Sequence, residues 1–145
     1  MENITVKDIV AATGGRLLCG NAAQKIEHLS IDSRTMKGND LFVPLIGEKV
    51  DAHRFIGQAF DTGAAAVLTS EHERAADTEH AWIRVADTKH ALQDIGRYYR
   101  SRLSLPLVGI TGSVGKTTTR EMVAAALSAK YRVYKTPGNS NSQVG

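Results

Sequence analysis

Apolar and polar positions alternate along this chain in two rhythms, short β-like runs and longer stretches at helical spacing. Val6, Ile9, Val10 and Thr13 share one helical face, with Thr5 placed to cap its start and Gly14-Gly15 to stop it. Strand patterns follow over residues 16–19, 26–31 and 41–46. The last two are separated by Lys37-Gly38-Asn39-Asp40, a turn composition. Phe55, Ile56, Ala59 and Phe60 mark a second helix that ends near Gly63. Residues 65–68 and 82–85 are compact apolar runs of the kind buried on both faces of a parallel sheet. The polar stretch between them predicts a short helix and a loop, and its histidines, His72 and His80, are expected to be solvated. Ala91, Leu92, Ile95, Tyr98, Tyr99 and Leu103 space a long amphipathic helix over residues 89–103. Regular alternation of this kind predicts an α/β layer architecture.

A boundary is expected near residues 101–105, just ahead of Pro106. Residues 1–103 carry enough strands and helices to close a small α/β domain around a mixed sheet. Residues 104–145 carry the pattern only once. A strand over 107–111, a glycine-rich turn and a helix over 116–130 lead to a last strand over 132–135. Met122, Val123, Ala126, Leu127 and Tyr131 lie on the side of that helix expected to be buried. One strand–helix–strand unit cannot cover both faces of a parallel sheet, so this part is expected to be the start of a larger domain. Its apolar edge, Leu107-Val108 and Arg132-Val133-Tyr134, is expected to dock on a neighbouring copy or to leave the unit more mobile than the first domain.

Composition narrows the function classes. Of 145 residues, 42% are hydrophobic and 23% charged, enough for a buried core. No apolar run approaches the ~20 residues of a membrane span. Met1-Glu2-Asn3-Ile4 lacks the basic cluster and apolar core of a secretory signal. A single cysteine, Cys19, excludes an internal disulfide or a multi-cysteine zinc site, and the expected compartment is the cytoplasm. Eighteen basic against fifteen acidic side chains give +3, too mild and scattered to argue for nucleic acid. A polyanionic small molecule suits that balance equally well.

The sharpest chemical signal is Gly109-Ile110-Thr111-Gly112-Ser113-Val114-Gly115-Lys116-Thr117-Thr118, set between a predicted strand and a predicted helix. Glycines permit the backbone turns that aim consecutive N–H groups at an anion, and the helix start adds its own. Gly112 through Thr118 therefore form a candidate nucleotide-phosphate loop. Lys116 reaches the outer phosphates of ATP as a point charge, and the Thr117 hydroxyl is placed to ligate Mg²⁺. These two are the candidate catalytic groups. The usual pattern has its first glycine where Ile110 stands, so the spacing is a variant.

That variant spacing, Gly-x-x-Gly-x-x-Gly-Lys-Thr, resembles the ATP loop of the Mur ligases, the amino-acid-adding enzymes of peptidoglycan synthesis. Three further stretches agree in the family's order. Asp32-Ser33-Arg34 with Gly38-Asn39-Asp40-Leu41-Phe42-Val43 is similar to its Asp-Ser-Arg and Gly-Asp-Leu-Phe-Val runs. Asp51-Ala52-His53-Arg54-Phe55-Ile56 is similar to Asp-Gly-His-x-Phe-Ile. Thr136-Pro137-Gly138-Asn139-Ser140-Asn141 resembles a Thr-x-Gly-Asn-x-Asn segment typical of the member that adds D-alanyl-D-alanine. Val114, Ala52 and Ser142 depart from the family's usual Asn, Gly and Asn.

The resemblance implies that the first domain binds the UDP end of a UDP-N-acetylmuramoyl-tripeptide, with Ser33 and Arg34 near the nucleotide. Taken alone, Asp32-Ser33-Arg34 also reads as an ordinary turn closing a strand, with Arg34 a sensible fork for a diphosphate. His53 reads either as a helix-start residue packing locally or as a substrate-side group. Asn139 and Asn141 either cap a turn or contact bound substrate, and the resemblance implies the contact. It further implies ATP-driven amide formation with Mg²⁺, through an acyl phosphate that the amine of D-alanyl-D-alanine displaces. The parts that would supply a second metal carboxylate and the incoming amino acid are expected later in such a chain, so these 145 residues alone are expected to be inactive. Two other readings stay open, the sister ligase that adds the third stem-peptide residue and a non-catalytic UDP-muramoyl-peptide-binding module. A GTPase is disfavoured by the lack of an Asn-Lys-x-Asp guanine signature.

Overall fold

A computed structural model describes residues 3–136 of the chain. They fall into two compact units that divide between Leu103 and Ser104. The first opens with β1 (Ile4–Thr5), α1 (Val6–Thr13), β2 (Arg16–Cys19) and β3 (Lys25–Ile26). It continues through β4 (His28–Ser30), β5 (Asp40–Phe42), a 3₁₀ turn (Ala52–Phe55) and α2 (Ile56–Asp61). It closes with β6 (Ala64–Thr69), β7 (Ala81–Arg84) and α3 (Thr88–Ser101). The main sheet has the order β2-β7-β6-β5-β4. Strands β4 to β7 run parallel, and β2 is antiparallel to β7, so the sheet is mixed. A separate antiparallel pair joins β1 to β3.

Local chemistry explains the element ends. Asp8 accepts from the Thr5 backbone N–H at 2.8 Å and from the Thr5 hydroxyl at 2.6 Å, forming the reciprocal box that starts α1. The Asp87 carboxylate takes the His90 N–H at 2.6 Å and starts α3 in the same way. Side chains alternate across the sheet with a period of two. Leu41, Val43, Ala66, Leu68 and Ile83 pack with Val6, Ile9, Ala91 and Ile95 beneath α1 and α3. Phe42, Val67 and Trp82 pack with Ile56 and Ala59 of α2 on the opposite face. Central strand β6 is thus covered on both sides, as its apolar run predicts.

Several expectations are corrected. The run 26–31 is two strands, because Ile26 joins β1 while His28–Ser30 crosses to β5. The strand expected over 41–46 stops at Phe42 apart from one further bond, Val43 N–H to Ser30 O at 2.9 Å, since Pro44 has no N–H to donate. No helix forms between β6 and β7. There the Thr69 hydroxyl and the Asp77 carboxylate capture the N–H groups of Glu71, His72, Glu79 and His80 that a helix would need. His72 and His80 are not simply solvated either. His80 stacks on Phe60 with ring centroids 4.0 Å apart, and His72 meets the edge of Trp82 at 5.3 Å.

The second unit contains α4 (Lys116–Ser128) where the spacing predicts it. Residues 107–111 and 132–135 form no strand, because a strand needs a ladder partner and none is present among the described residues. No residue of α4 is buried; Met122 and Tyr131 are exposed, and Val123 and Leu127 only half-buried. Leu107, Val108 and Tyr134 are exposed. Among the described residues no helix is long and apolar enough to cross a membrane.

Asp8 also accepts from the Tyr98 hydroxyl at 2.8 Å, tying α1 to α3. The Thr5 hydroxyl, above all, holds its carboxyl below the ordinary value. A depressed folded-state pKa contributes stability above the unfolded value, and that contribution is lost as the carboxyl protonates in acid. Asp8→Ala should therefore destabilise the first unit by about 1–2 kcal/mol at neutral pH. In urea titrations the gap to wild type should narrow as pH falls below about 4.

Candidate functional site

Two groups of residues form at different places in the chain. The first is the loop before α4. Gly115 caps that helix with φ +76° and supplies no side-chain cap, and Gly112 has φ +149°, both in the region that favours glycine. A Cβ on Gly115 would meet nothing within 4 Å, so the space over the loop is open. The first bond within the helix runs from Thr119 N–H to Gly115 O at 2.9 Å, and the N–H groups of the first turn point out past the helix end. Lys116 Nζ donates to Gly112 O at 2.6 Å, placing the ammonium across the mouth of the loop. Ser113, Val114, Thr117 and Thr118 are exposed around it. An open ring of backbone with a cation over it and a hydroxyl beside it fits a polyphosphate carrying a divalent metal.

The second group lies at the carboxyl ends of β4, β5 and β6, where parallel sheets characteristically bind ligands. Residues 32–35 turn immediately after β4. Arg34 forks onto both carboxylate oxygens of Asp32 at 2.9 and 2.7 Å, and the Arg34 N–H donates to the same group at 3.0 Å. Hydrogen bonding by the Arg34 guanidinium, foremost, pulls the Asp32 carboxyl down to about 2. Ser33 is only 6% exposed. Its hydroxyl donates to Gln58 Oε1 at 3.0 Å, and its carbonyl accepts from the Thr62 hydroxyl at 2.6 Å.

After β5, residues 45–52 form a tight hairpin. Ala52 N–H donates to Leu45 O at 3.1 Å, Ile46 bridges to Asp51, and Gly47 N–H reaches Val50 O at 2.9 Å. Ile46 and Val50 are exposed on it. Asp51 Oδ1 accepts the His53 backbone N–H at 2.9 Å and lies 2.6 Å from His53 Nδ1. That backbone bond is the first cause holding the Asp51 carboxyl at about 2. His53 is 4% exposed, and its Nε2 accepts the Ser70 backbone N–H at 3.1 Å. An N–H only donates, so Nε2 carries the lone pair and Nδ1 the proton. With the Ser70 hydroxyl 3.2 Å from Nε2, Asp51, His53 and Ser70 line up like a hydrolytic triad. The lone pair is already taken by a backbone N–H and the ring is buried. The arrangement is a clamp that fastens the hairpin to the end of β6.

The structure thus brings Ser33, Arg34 and His53 to one edge of one sheet, with His53 turned inward onto two internal partners. Asn139 and Asn141 lie outside the described residues. The sequence reading missed Gln58, Thr62 and Ser70. Gln58 and Thr62 lie 25 and 29 positions from Ser33, and Ser70 lies 17 from His53. Only Asp51 carried a signal, as part of the Asp-x-His-x-Phe-Ile element.

Comparison with known proteins places the class. Residues 25–100 match the Mur ligase family, catalytic domain, and residues 110–145 match the Mur ligase middle domain. The chain belongs to the Mur ligase family. A UDP-N-acetylmuramoyl-tripeptide–D-alanyl-D-alanine ligase from Bacillus subtilis is 42% identical over 97% of this chain and 31% of its own length. The crystal structure of MurF from Acinetobacter baumannii superposes with a TM-score of 0.85 at 36% identity, covering 97% of this chain and 31% of that one. The MurF ligase of Thermotoga maritima in complex with ADP gives a TM-score of 0.73 at 33% identity, over 82% of this chain and 27% of that one. The chain therefore spans about a third of the length of the relatives it matches.

Because Arg34 is the main cause of the low Asp32 pKa, Arg34→Met should raise that carboxyl from about 2 toward its ordinary 3.8. A carbon-detected NMR titration of the side-chain carboxyl reads this shift directly.

Proposed function

We propose that this chain is the N-terminal part of an ATP-dependent ligase that joins D-alanyl-D-alanine to UDP-N-acetylmuramoyl-tripeptide in the cytoplasm. The observation that carries the reading is the open loop at residues 112–118, with Lys116 across its mouth, in a chain akin to the D-alanyl-D-alanine-adding ligases. In this reading the first unit holds the UDP end of the muramoyl peptide at residues 32–35 and 45–53. Arg34, whose Nε and Nη2 pair with Asp32, supplies its remaining guanidinium N–H groups to the diphosphate. His53 holds the hairpin to the end of β6, and Asn139 and Asn141 would contact bound substrate.

A carboxylate resists attack by an amine because its charge and resonance make it a poor electrophile. Moving the γ-phosphoryl group of ATP onto it gives an acyl phosphate with a stable leaving group, which the amine of D-alanyl-D-alanine displaces. This chain's part is to position the triphosphate and offset its charge, the main protein contribution to phosphoryl transfer. The backbone of Gly112, Ser113, Val114 and Gly115 cradles the phosphates together with the N–H groups of Lys116, Thr117 and Thr118. The Lys116 ammonium leaves the Gly112 carbonyl for the outer phosphates. Thr117 would hold Mg²⁺, which would supply charge neutralisation for the phosphates. The exposed Leu107, Val108 and Tyr134 give the second unit an apolar surface for the rest of its domain or for a second copy.

In the full-length ligase, Lys116→Ala should weaken ATP·Mg²⁺ binding at least about tenfold, the loss of one charge-assisted contact. Calorimetry showing equal affinity in the two proteins would contradict the assignment. Phosphate release that depends on both co-substrates is expected from the full-length ligase and not from these 145 residues alone.

A further inference from the structure

We infer that Gln58 and Thr62 of the α2 region are positioning residues for the UDP subsite, holding in place the turn that bears Arg34. The inference rests on the reading of residues 32–35 as one wall of that subsite. Helix α2 buries Ile56 and Ala59 against the sheet, and Gln58 and Thr62 stand one helical turn apart on its outer side. Both reach the same residue. Gln58 Oε1 accepts the Ser33 hydroxyl at 3.0 Å, and the Thr62 hydroxyl donates to the Ser33 carbonyl at 2.6 Å.

The Thr62 hydroxyl has one proton and three acceptors within reach, with Gln58 O at 2.8 Å and Ala59 O at 3.1 Å behind Ser33 O. The shortest of these is the contact outside its own helix. The Ser33 side chain is therefore spent on α2, and the exposed group of the turn is the Arg34 guanidinium, held by Asp32 along its Nε–Nη2 side. Carboxylate, guanidinium and turn are joined by these bonds, and the turn is tied to α2 by these two side chains. Displacement of such a supporting pair by a fraction of an ångström is enough to misplace a bidentate contact. A purely structural role would instead spread the cost over the stability of the whole first unit.

The test is a calorimetric titration of UDP into the full 145-residue chain and its variants Thr62→Val, Thr62→Ser and Gln58→Met, each with a thermal melt. Thr62→Val should weaken UDP binding about fivefold while lowering the melting temperature by no more than the few degrees that one lost hydrogen bond costs. Thr62→Ser, which restores the hydroxyl, should return to within about twofold of wild type. Gln58→Met alters an exposed side chain and should weaken binding to a similar degree, so it carries the test if Thr62→Val fails to fold. Wild-type affinity in both Thr62→Val and Gln58→Met overturns the positioning role while leaving the subsite in place. A loss that Thr62→Ser does not restore, or one accompanied by a fall in melting temperature larger than one hydrogen bond accounts for, marks a merely structural effect and also overturns it. Failure of the wild-type chain to bind UDP overturns the subsite reading itself, and this inference with it.

Discussion

The first unit is organised by the covering of β6 on both faces. A parallel strand covered on both faces leaves no water for the polar groups at its carboxyl end, so each must find a partner within the protein. Thr69 is fully buried; its hydroxyl accepts the N–H groups of Glu71 and His72 and pairs with His72 Nδ1 at 2.9 Å. One residue on, the Ser70 N–H has no strand partner and goes to His53 Nε2. That single bond reaches across to the hairpin after β5 and fixes the imidazole tautomer. The hairpin's attachment to the end of β6 thus follows from satisfying the end of one strand.

The second unit obeys a different constraint. Its helix forms from local signals alone, since Gly115 takes the left-handed cap and the following threonines and alanines carry the chain forward. The flanking apolar runs are different in kind. A strand is a relation between segments, and Leu107 or Tyr134 gains nothing by extension without a neighbour on the ladder. The glycine loop is nevertheless formed, because it depends on glycine dihedrals and a helix start rather than on a finished sheet.

The division between legible and illegible follows the same line. Periodicity and caps revealed α1, α3, α4, β6 and β7, all encoded within a few positions of each element. The glycine loop was legible because its chemistry is contiguous. The run 26–31 misled because apolar spacing does not say which sheet receives each half. The stretch after Ser70 misled because Thr69 and Asp77 compete for helical N–H groups, an effect of individual side chains that composition averages away. Gln58 carried no signal at all, being a polar residue on the outer side of a short helix until Ser33 is folded against it. His53 lay in a recognisable element, yet its inward orientation depends on Ser70, which only the fold brings near.

The central claim is that the edge formed by residues 32–35 and 45–53 receives a nucleoside diphosphate, while residues 112–118 receive the triphosphate. An amide chemical-shift map of the isotope-labelled chain titrated with UDP tests it most directly. Shifts concentrated at Ser33, Arg34 and residues 45–53, with none along α3, are the predicted result. Shifts confined to residues 112–118 would contradict it, because the first unit would then not be where UDP binds.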